Sequence, residues 1–129
     1  WVMLGDGEVQ EGEVWEAAMA AEFHSASNLK VIIDRNGIQN DDFVSVQMEV
    51  GDVASKLASF GWQVLEIDGH SMTDIVQALE WAVSIDDGPC AIVAKTVKGK
   101  GVSFMEGNPA FHGKAPDDDE LRIALEELS

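Results

Sequence analysis

Apolar and polar positions alternate along the chain in a pattern that predicts four short strands separated by helices. Apolar runs cover residues 1–4, 29–33, 62–67 and 90–94, and polar or glycine-containing turns follow the first three runs. Short apolar runs of this kind are typical of strands that are buried on both faces of a parallel sheet. Between the runs, apolar spacing and capping residues predict helices over residues 12–26, 52–60 and 71–85.

The two longer helices have a predicted inner side. For the helix over residues 12–26, the side chains expected to face the core are Val14, Trp15, Ala17, Ala18, Met19 and Ala21. Ser71 is suited to cap the next long helix, and its inward positions would be Ile75, Val76, Leu79 and Ala82. A glycine-rich loop over residues 96–117 leads to a last helix, whose acidic start at 117–120 suits the positive end of the helix dipole.

The order of the elements predicts an α/β fold, in which a parallel sheet carries helices on both faces in three layers. Residues 1–129 are one domain's worth of chain. The opening strand has the apolar character of a central strand, which needs a neighbour on each side. We therefore expect a partial domain that is incomplete at its N-terminus and is completed by a longer chain or by a partner.

Composition excludes several classes of partner. Eight basic residues face 24 acidic residues, so the formal net charge is −16, and such a chain repels a nucleic-acid backbone. No apolar run has the length of a membrane span, so we expect no membrane association. Cys90 is the single cysteine, which fits a reducing compartment and leads us to expect a cytoplasmic protein. Its place in an apolar strand predicts a small core residue.

Two polar motifs fall at the carboxyl ends of strands, where parallel sheets bind ligands. Gly5-Asp6-Gly7 follows the first strand and Asn36 follows the second. The glycines allow a tight turn and the close approach of a ligand. If the strands are neighbours, Asp6 and Asn36 converge with one backbone carbonyl on a cation. Mg²⁺ would keep open positions for diphosphate oxygens and water, and the helix that begins near Gly12 would add its N-terminal amides.

A Gly-Asp-Gly tripeptide alone is more typical of a turn with a solvated aspartate than of a metal site, but the Asn36 spacing and longer strings extend the pattern. The string GDGEVQEGEVWEAAMAA at residues 5–21 resembles transketolases, in which the Gly-Asp-Gly motif is followed by two residues and Gln-Glu-Gly. The resemblance continues over nearly the whole chain, in the segments 34–39 (DRNGIQ), 68–70 (DGH), 95–106 (KTVKGKGVSFME) and 111–116 (FHGKAP). It is strongest to the N-terminal subunit of two-subunit transketolases and implies the thiamine diphosphate-binding fold.

The resemblance implies a role for each matching residue. Asp6, the Asn36 side chain and the Ile38 carbonyl would bind Mg²⁺. Gly5 and Gly7 would belong to the cofactor-binding motif, with the Gly7 amide on the diphosphate. His112 would contact the diphosphate and border the substrate channel as a catalytic residue. The family glutamate that matches Glu11 lies at a subunit interface, in a carboxylate network that links two cofactor sites.

The implied reaction transfers a two-carbon ketol unit from a ketose phosphate to an aldose phosphate. The glutamate that activates thiamine diphosphate and the histidines upstream of the Gly-Asp-Gly motif have no counterpart in this chain. We therefore expect a C-terminal transketolase subunit or further domains as partner, an oligomeric enzyme, and no turnover by this chain alone. One departure is Arg35, which stands where the motif usually has the first of two asparagines.

Other functions remain open at this point. A different thiamine diphosphate enzyme, such as a 2-oxo acid dehydrogenase E1 or a deoxyxylulose phosphate synthase, is disfavoured by the Gln-Glu-Gly and KTVKGKG strings. A truncated, non-catalytic interaction module would have no use for intact ligands at Asp6 and Asn36. A Mg²⁺-dependent phosphatase or nucleotide-binding domain would need more carboxylates or a P-loop.

Several residues have two interpretations. Lys98 and Lys100 would either contact phosphate or lie in a solvated loop, and His112 is also compatible with a plain loop histidine. For His70 we favour a local hydrogen bond at a turn, and for His24 a place near the negative end of its helix. The tryptophans at apolar positions are expected in the core, namely Trp15, Trp62 and Trp81.

Overall fold

The computed structural model describes residues 1–129, and its elements follow the predicted alternation. The strands are β1 (Val2–Gly5), β2 (Lys30–Arg35), β3 (Gln63–Asp68) and β4 (Cys90–Lys95). The helices are α1 (Gly12–Phe23), α2 (Val44–Gln47), α3 (Val53–Ser59), α4 (Met72–Ser84) and α5 (Asp118–Glu127). Short 3-10 turns at Glu8–Gln10 and Pro109–Phe111, and the four-residue α2, were not predicted.

The four strands form one parallel sheet in the order β1-β2-β4-β3. Gly5 pairs with Asp34 at the carboxyl ends of β1 and β2, and Arg35 pairs with Lys95 of β4. The predicted neighbours β1 and β2 are therefore adjacent. Within these residues β1 pairs with β2 alone and leaves Met3 67% exposed, which agrees with the expectation of a partial domain whose opening strand lacks its second neighbour.

Helices cover both faces of the sheet, which confirms the three-layer arrangement. On one face, α1 and α3 pack with Ala18, Ala21, Val53, Ala54 and Leu57 against Val31, Ile33, Ala91 and Val93 of the central strands. On the other face, α4 packs with Ala78 and Ala82 against Cys90 and Ile92. Cys90 is fully buried, as predicted.

Fewer side chains of α1 and α4 are buried against the sheet than predicted. Ala18 and Ala21 of α1 are buried, whereas Ala17 and Met19 are exposed. The small side chains bring this helix close to the core, where the indole Nε1 of Trp62 donates to the Ala18 carbonyl at 2.9 Å. Trp62 is buried as expected, and Val14, Trp15 and Trp81 are half-buried.

In α4, the core contact is made by small side chains in the same way. Ala78, which was not predicted, and Ala82 are fully buried. Val76 was expected to face inward but is 51% exposed, because the alanine strip turns it away from the sheet. Leu79 was also expected to face inward but is 36% exposed, and Ile75 is half-buried.

Side-chain caps fix where three helices begin. Asp52 accepts from the Ser55 amide at the start of α3, and Ser71 accepts from the Asp74 amide at the start of α4. Asp117 and Glu120 form a reciprocal capping box at α5, which satisfies two amides that the helix leaves free. No helix of the structure combines the length and the apolar character needed to cross a bilayer.

The alanine contact of α4 gives a stability prediction. Ala82→Leu should lower the free energy of unfolding by about 1–3 kcal/mol, because three extra carbons have no room beside Cys90 and Ile92. Ala20→Leu makes the same change at an exposed position of α1 and should stay within about 0.5 kcal/mol of the wild type. Urea unfolding of both variants checks this, and equal losses of stability would contradict the packing described.

Candidate functional site

A polar cavity of about 470 Å³ lies at the carboxyl ends of β1 and β2. Only one of its 13 lining residues is hydrophobic, so it suits a charged ligand rather than an apolar one. All the predicted site residues line it, namely Gly5, Asp6, Gly7, Glu11, Asn36, Ile38 and His112. The register explains the convergence of Asp6 and Asn36, since Gly5 and Asp34 are paired, Asp6 comes one residue after Gly5 and Asn36 comes two residues after Asp34.

Asp6 is a buried carboxylate at the floor of this cavity, with 1% of the residue exposed. Nη1 of Arg35 donates to Oδ1 of Asp6 at 2.8 Å, and the amide of Gly37 donates to Oδ2 at 2.6 Å. Burial raises the pKa of Asp6 above the usual aspartate value, because lost hydration outweighs the Gly37 hydrogen bond and the Arg35 charge, which lower it. Each oxygen has one protein donor, and a carboxylate oxygen can accept a second contact.

Asn36 is held in one orientation by two hydrogen bonds. Its Nδ2 donates to Oδ2 of Asp34 at 3.0 Å, and its Oδ1 accepts from the amide of Ile38 at 2.9 Å. The hydroxyl of Thr96, just after β4, donates to the other oxygen of Asp34. Asp34 therefore anchors the amide nitrogen of Asn36, which leaves the amide oxygen as the group available to a cation.

Ile38 offers a backbone oxygen at the same place. Its side chain is buried, with 3% of the residue exposed. The neighbouring turn is closed by hydrogen bonds from Val44 to the Gly37 carbonyl and from Gln39 to the Asp42 carbonyl. The carbonyl of Ile38 accepts no hydrogen bond from the chain, and Ile38 lines the polar cavity, so this oxygen is free to accept a ligand.

The glycines of the motif act through space rather than through unusual backbone angles. The chain turns at Asp6 and Gly7 directly after β1, but neither Gly5 nor Gly7 has a positive φ; the left-handed conformation is at Gly37, with φ +78°. A Cβ at Gly7 would lie 3.2 Å from Cβ of Gln39, closer than an ordinary van der Waals contact, so this close packing favours glycine. The Gly5 amide donates to the Glu8 carboxylate at 2.7 Å.

The start of α1 lies farther from the cavity than predicted, so its N-terminal amides do not line the site. A 3-10 turn at Glu8–Gln10 intervenes between the motif and α1, and Gly12 does not line the cavity. Glu11, which precedes the helix, lines the cavity but is exposed.

The loop after β4 brings two further polar groups to the cavity. His112 follows the 3-10 turn Pro109–Phe111 and is exposed along the lining. Lys98, half-buried, also lines the cavity and has no carboxylate partner. Lys100 instead pairs with Glu106 at 3.0 Å. The structure thus separates two lysines that the sequence left equivalent.

His70 supports this loop from outside the cavity. The amide of His70 donates to Oδ1 of Asp68 at 2.9 Å, which confirms the local hydrogen bond expected at this turn. The imidazole makes a longer-range contact, since its Nε2 accepts a hydrogen bond from the amide of Val97 at 2.8 Å. The contact fixes the chain one residue before Lys98. His24 directly follows α1 and packs edge-on against Phe23.

The donor set fits a hard cation that is shared with an anionic ligand. Asp6, Asn36 and Ile38 offer oxygen atoms, the ligands that Mg²⁺ prefers. No group of three or more His, Cys, Asp or Glu side chains could form an all-protein metal cage. The cavity lining carries four carboxylates against the single lysine Lys98, so a diphosphate would be repelled unless a cation accompanied it.

Comparison with known proteins points to one family. The family model described as "Transketolase, thiamine diphosphate binding domain" matches residues 1–129. A curated relative is one of the subunits of the apulose-4-phosphate transketolase of Actinobacillus succinogenes, 38% identical over 128 residues, which are 99% of this chain and 46% of that relative. The transketolase of Mus musculus is 40% identical over 114 residues, which are 88% of this chain and 18% of that protein.

The fold comparison agrees with the sequence comparison. A crystal structure of the transketolase from Campylobacter jejuni matches with a TM-score of 0.89 and 34% identity. The match covers 98% of this chain and 20% of the other. The chain thus spans about half the length of the Actinobacillus relative and about a fifth of the longer transketolases.

The hydrogen bond from Thr96 to Asp34 gives a prediction for the site's framework. Thr96→Val keeps the shape of the side chain but removes the donor, so it should lower the free energy of unfolding by about 1–2 kcal/mol. Thr73→Val, at an exposed position of α4, is the matched control and should change stability by less than about 0.5 kcal/mol. Urea unfolding measures both, and a Thr96→Val protein as stable as the wild type would refute the anchoring role of Asp34.

Proposed function

Because this chain belongs to the family of transketolase thiamine diphosphate-binding domains, we propose that it holds the diphosphate of thiamine diphosphate through Mg²⁺ for the transfer of a two-carbon ketol unit between sugars. The observation that carries this proposal is the convergence of three oxygen donors, from Asp6, Asn36 and Ile38, on one polar cavity. The acidic lining supports a cation as the link between the protein and the diphosphate.

Each residue of the cavity has a task in this proposal. Asp6 supplies the anionic ligand, and the Asp34 anchor aims the amide oxygen of Asn36. The Ile38 carbonyl accepts the cation in place of a hydrogen-bond donor. Gly7 leaves room for the cofactor beside Gln39 and presents its amide to the diphosphate.

Lys98 and His112, both in the loop after β4, lie around the proposed diphosphate. Lys98, which no carboxylate neutralises, faces the diphosphate as a point charge. His112 contacts the diphosphate at the mouth of the cavity, where an exposed imidazole also borders the path of a sugar substrate. Glu11, exposed beside the cavity, is assigned to the subunit interface.

When bound, thiamine diphosphate supplies the carbanion chemistry that breaks and forms the carbon–carbon bond. The residues described here bind and orient its diphosphate end. The relative from Actinobacillus is named as one subunit of its transketolase, which supports an oligomeric enzyme whose partner is a second, C-terminal transketolase subunit. We propose sugar phosphates as substrates, in line with that relative's name, and a cytoplasmic location.

The other functions that the sequence left open lose support. The match of the transketolase family model to all 129 residues disfavours a 2-oxo acid dehydrogenase, a deoxyxylulose phosphate synthase and a phosphatase. A non-catalytic interaction module remains the main alternative. The assembled oxygen donors weigh against it, because a module without cofactor has no need of them.

Cofactor binding is the first test, on the native protein that carries these residues. Thiamine diphosphate with Mg²⁺ should raise the melting temperature by several degrees, because a ligand at a hundred times its Kd adds about 2.7 kcal/mol to the stability. The rise should need both ligands and should vanish in Asp6→Asn. Asp86→Asn, an exposed aspartate in the loop before β4, is the control and should keep it. An undiminished rise in Asp6→Asn would exclude the proposed metal site.

Ketol transfer is the second test. The chain of residues 1–129 alone should give no transfer from a ketose phosphate to an aldose phosphate, whereas the native protein that carries these residues, mixed with the complementary transketolase subunit of the same genome, should give it. The coupled formation of both sugar products measures the reaction. Turnover by the single chain would overturn the need for a partner, and cofactor binding without turnover in the mixture would favour the interaction module.

A further inference from the structure

Arg35 makes the most consequential contact that the proposed function does not use. It occupies the motif position next to the ligand Asn36, and its Nη1 lies 2.8 Å from Oδ1 of Asp6. The Asp6 side chain is fully buried in this pair, while Arg35 is 23% exposed. A guanidinium is thus bonded to the carboxylate that is proposed to bind Mg²⁺.

The ion pair between Arg35 and Asp6 stabilises the protein when no metal is bound. A buried carboxylate without a counter-charge costs several kcal/mol, and the Gly37 amide offers only a neutral hydrogen bond to Asp6. Arg35 supplies the missing positive charge. The same charge opposes a divalent cation, since a guanidinium in contact with a metal ligand both occupies a lone pair and repels the metal.

Arg35 has a second carboxylate within reach. Its Nη2 lies 3.7 Å from Oε1 of Glu49, and the amide of Gly51 holds that oxygen of Glu49 in place at 2.9 Å. Arg35 does not line the polar cavity; it lines a neighbouring cavity of about 520 Å³ with Asp52 and Glu66. It can therefore withdraw from Asp6 without crossing the space of the cofactor.

We propose that Arg35 is the built-in counter-ion of Asp6 in the metal-free protein, and that it releases Asp6 to Mg²⁺ by transferring its ion pair to Glu49. This inference rests on the proposed Mg²⁺ site. In it Arg35 is a positioning residue, which lowers the Mg²⁺ affinity while it stabilises the protein before the cofactor arrives. The two effects have opposite signs, so they distinguish this role from a merely structural one.

The test is a Mg²⁺ titration at fixed thiamine diphosphate, followed by calorimetry on the native protein that carries these residues, with melting temperatures measured in EDTA. Arg35→Met should tighten Mg²⁺ binding about tenfold, equal to about 1.4 kcal/mol, and should lower the melting temperature in EDTA. Glu49→Gln should weaken Mg²⁺ binding about threefold, because Arg35 then has no second partner. Arg122→Met removes an exposed ion pair on α5 and should change neither quantity.

The outcomes separate this inference from the function on which it rests. Unchanged or weaker Mg²⁺ binding in Arg35→Met would overturn the counter-ion role, and unchanged binding in Glu49→Gln would overturn the transfer to Glu49. If Arg35→Met does not fold, the direction of the Glu49→Gln change decides. Absence of Mg²⁺ binding in the wild type, or binding that survives Asp6→Asn, would instead refute the metal site itself.

Discussion

The parallel pairing of β1 with β2 is the constraint on which the site depends. Gly5 lies opposite Asp34, and this register places the buried Asp6 and the anchored Asn36 at one edge. A slip of one residue would turn the side chains of β1 to the other face and would separate the two oxygens. The apolar contacts of Val31 and Ile33 with α1 and α3 fix β2, so the core that stabilises the fold also sets the geometry of the cavity.

Electrostatics then decide what this edge can hold. The chain is strongly acidic, and its cavity lining follows the same bias, with Lys98 as the only lysine or arginine among the lining residues. An acidic cavity attracts a cation first and an anion only through that cation. The unpartnered carbonyl of Ile38 also favours a cation, because a carbonyl oxygen binds cations and not anions. An acidic surface of this kind repels a nucleic-acid backbone, whereas the proposed cation would let the same cavity accept a diphosphate.

Much of the fold and the lining of the site could be predicted from the sequence because they follow from local patterns. Strand positions follow from apolar runs, the cap at Ser71 follows from its side chain, and the convergence of Asp6 and Asn36 follows from the rule for parallel sheets. The inner faces of α1 and α4 could not be predicted correctly, because hydrophobicity favoured Met19 and Val76 whereas close packing selected alanines. Lys100 differs from Lys98 because it forms an ion pair with Glu106. The spacing of these residues in the sequence does not predict that pair.

Arg35 shows how a motif can conceal a physical difference. By the resemblance alone, the residue before Asn36 varies among transketolases and carries no ligand. In the structure, its charge lies against the one carboxylate that a metal would need, and a neutral asparagine at this position would supply no such charge. If Arg35 has the proposed role, the same fold would hold a metal site with different apo-state stability and metal affinity, because one residue exchanges a neutral neighbour for a counter-ion. The choice of residue beside a ligand therefore contributes to the chemistry of the ligand itself.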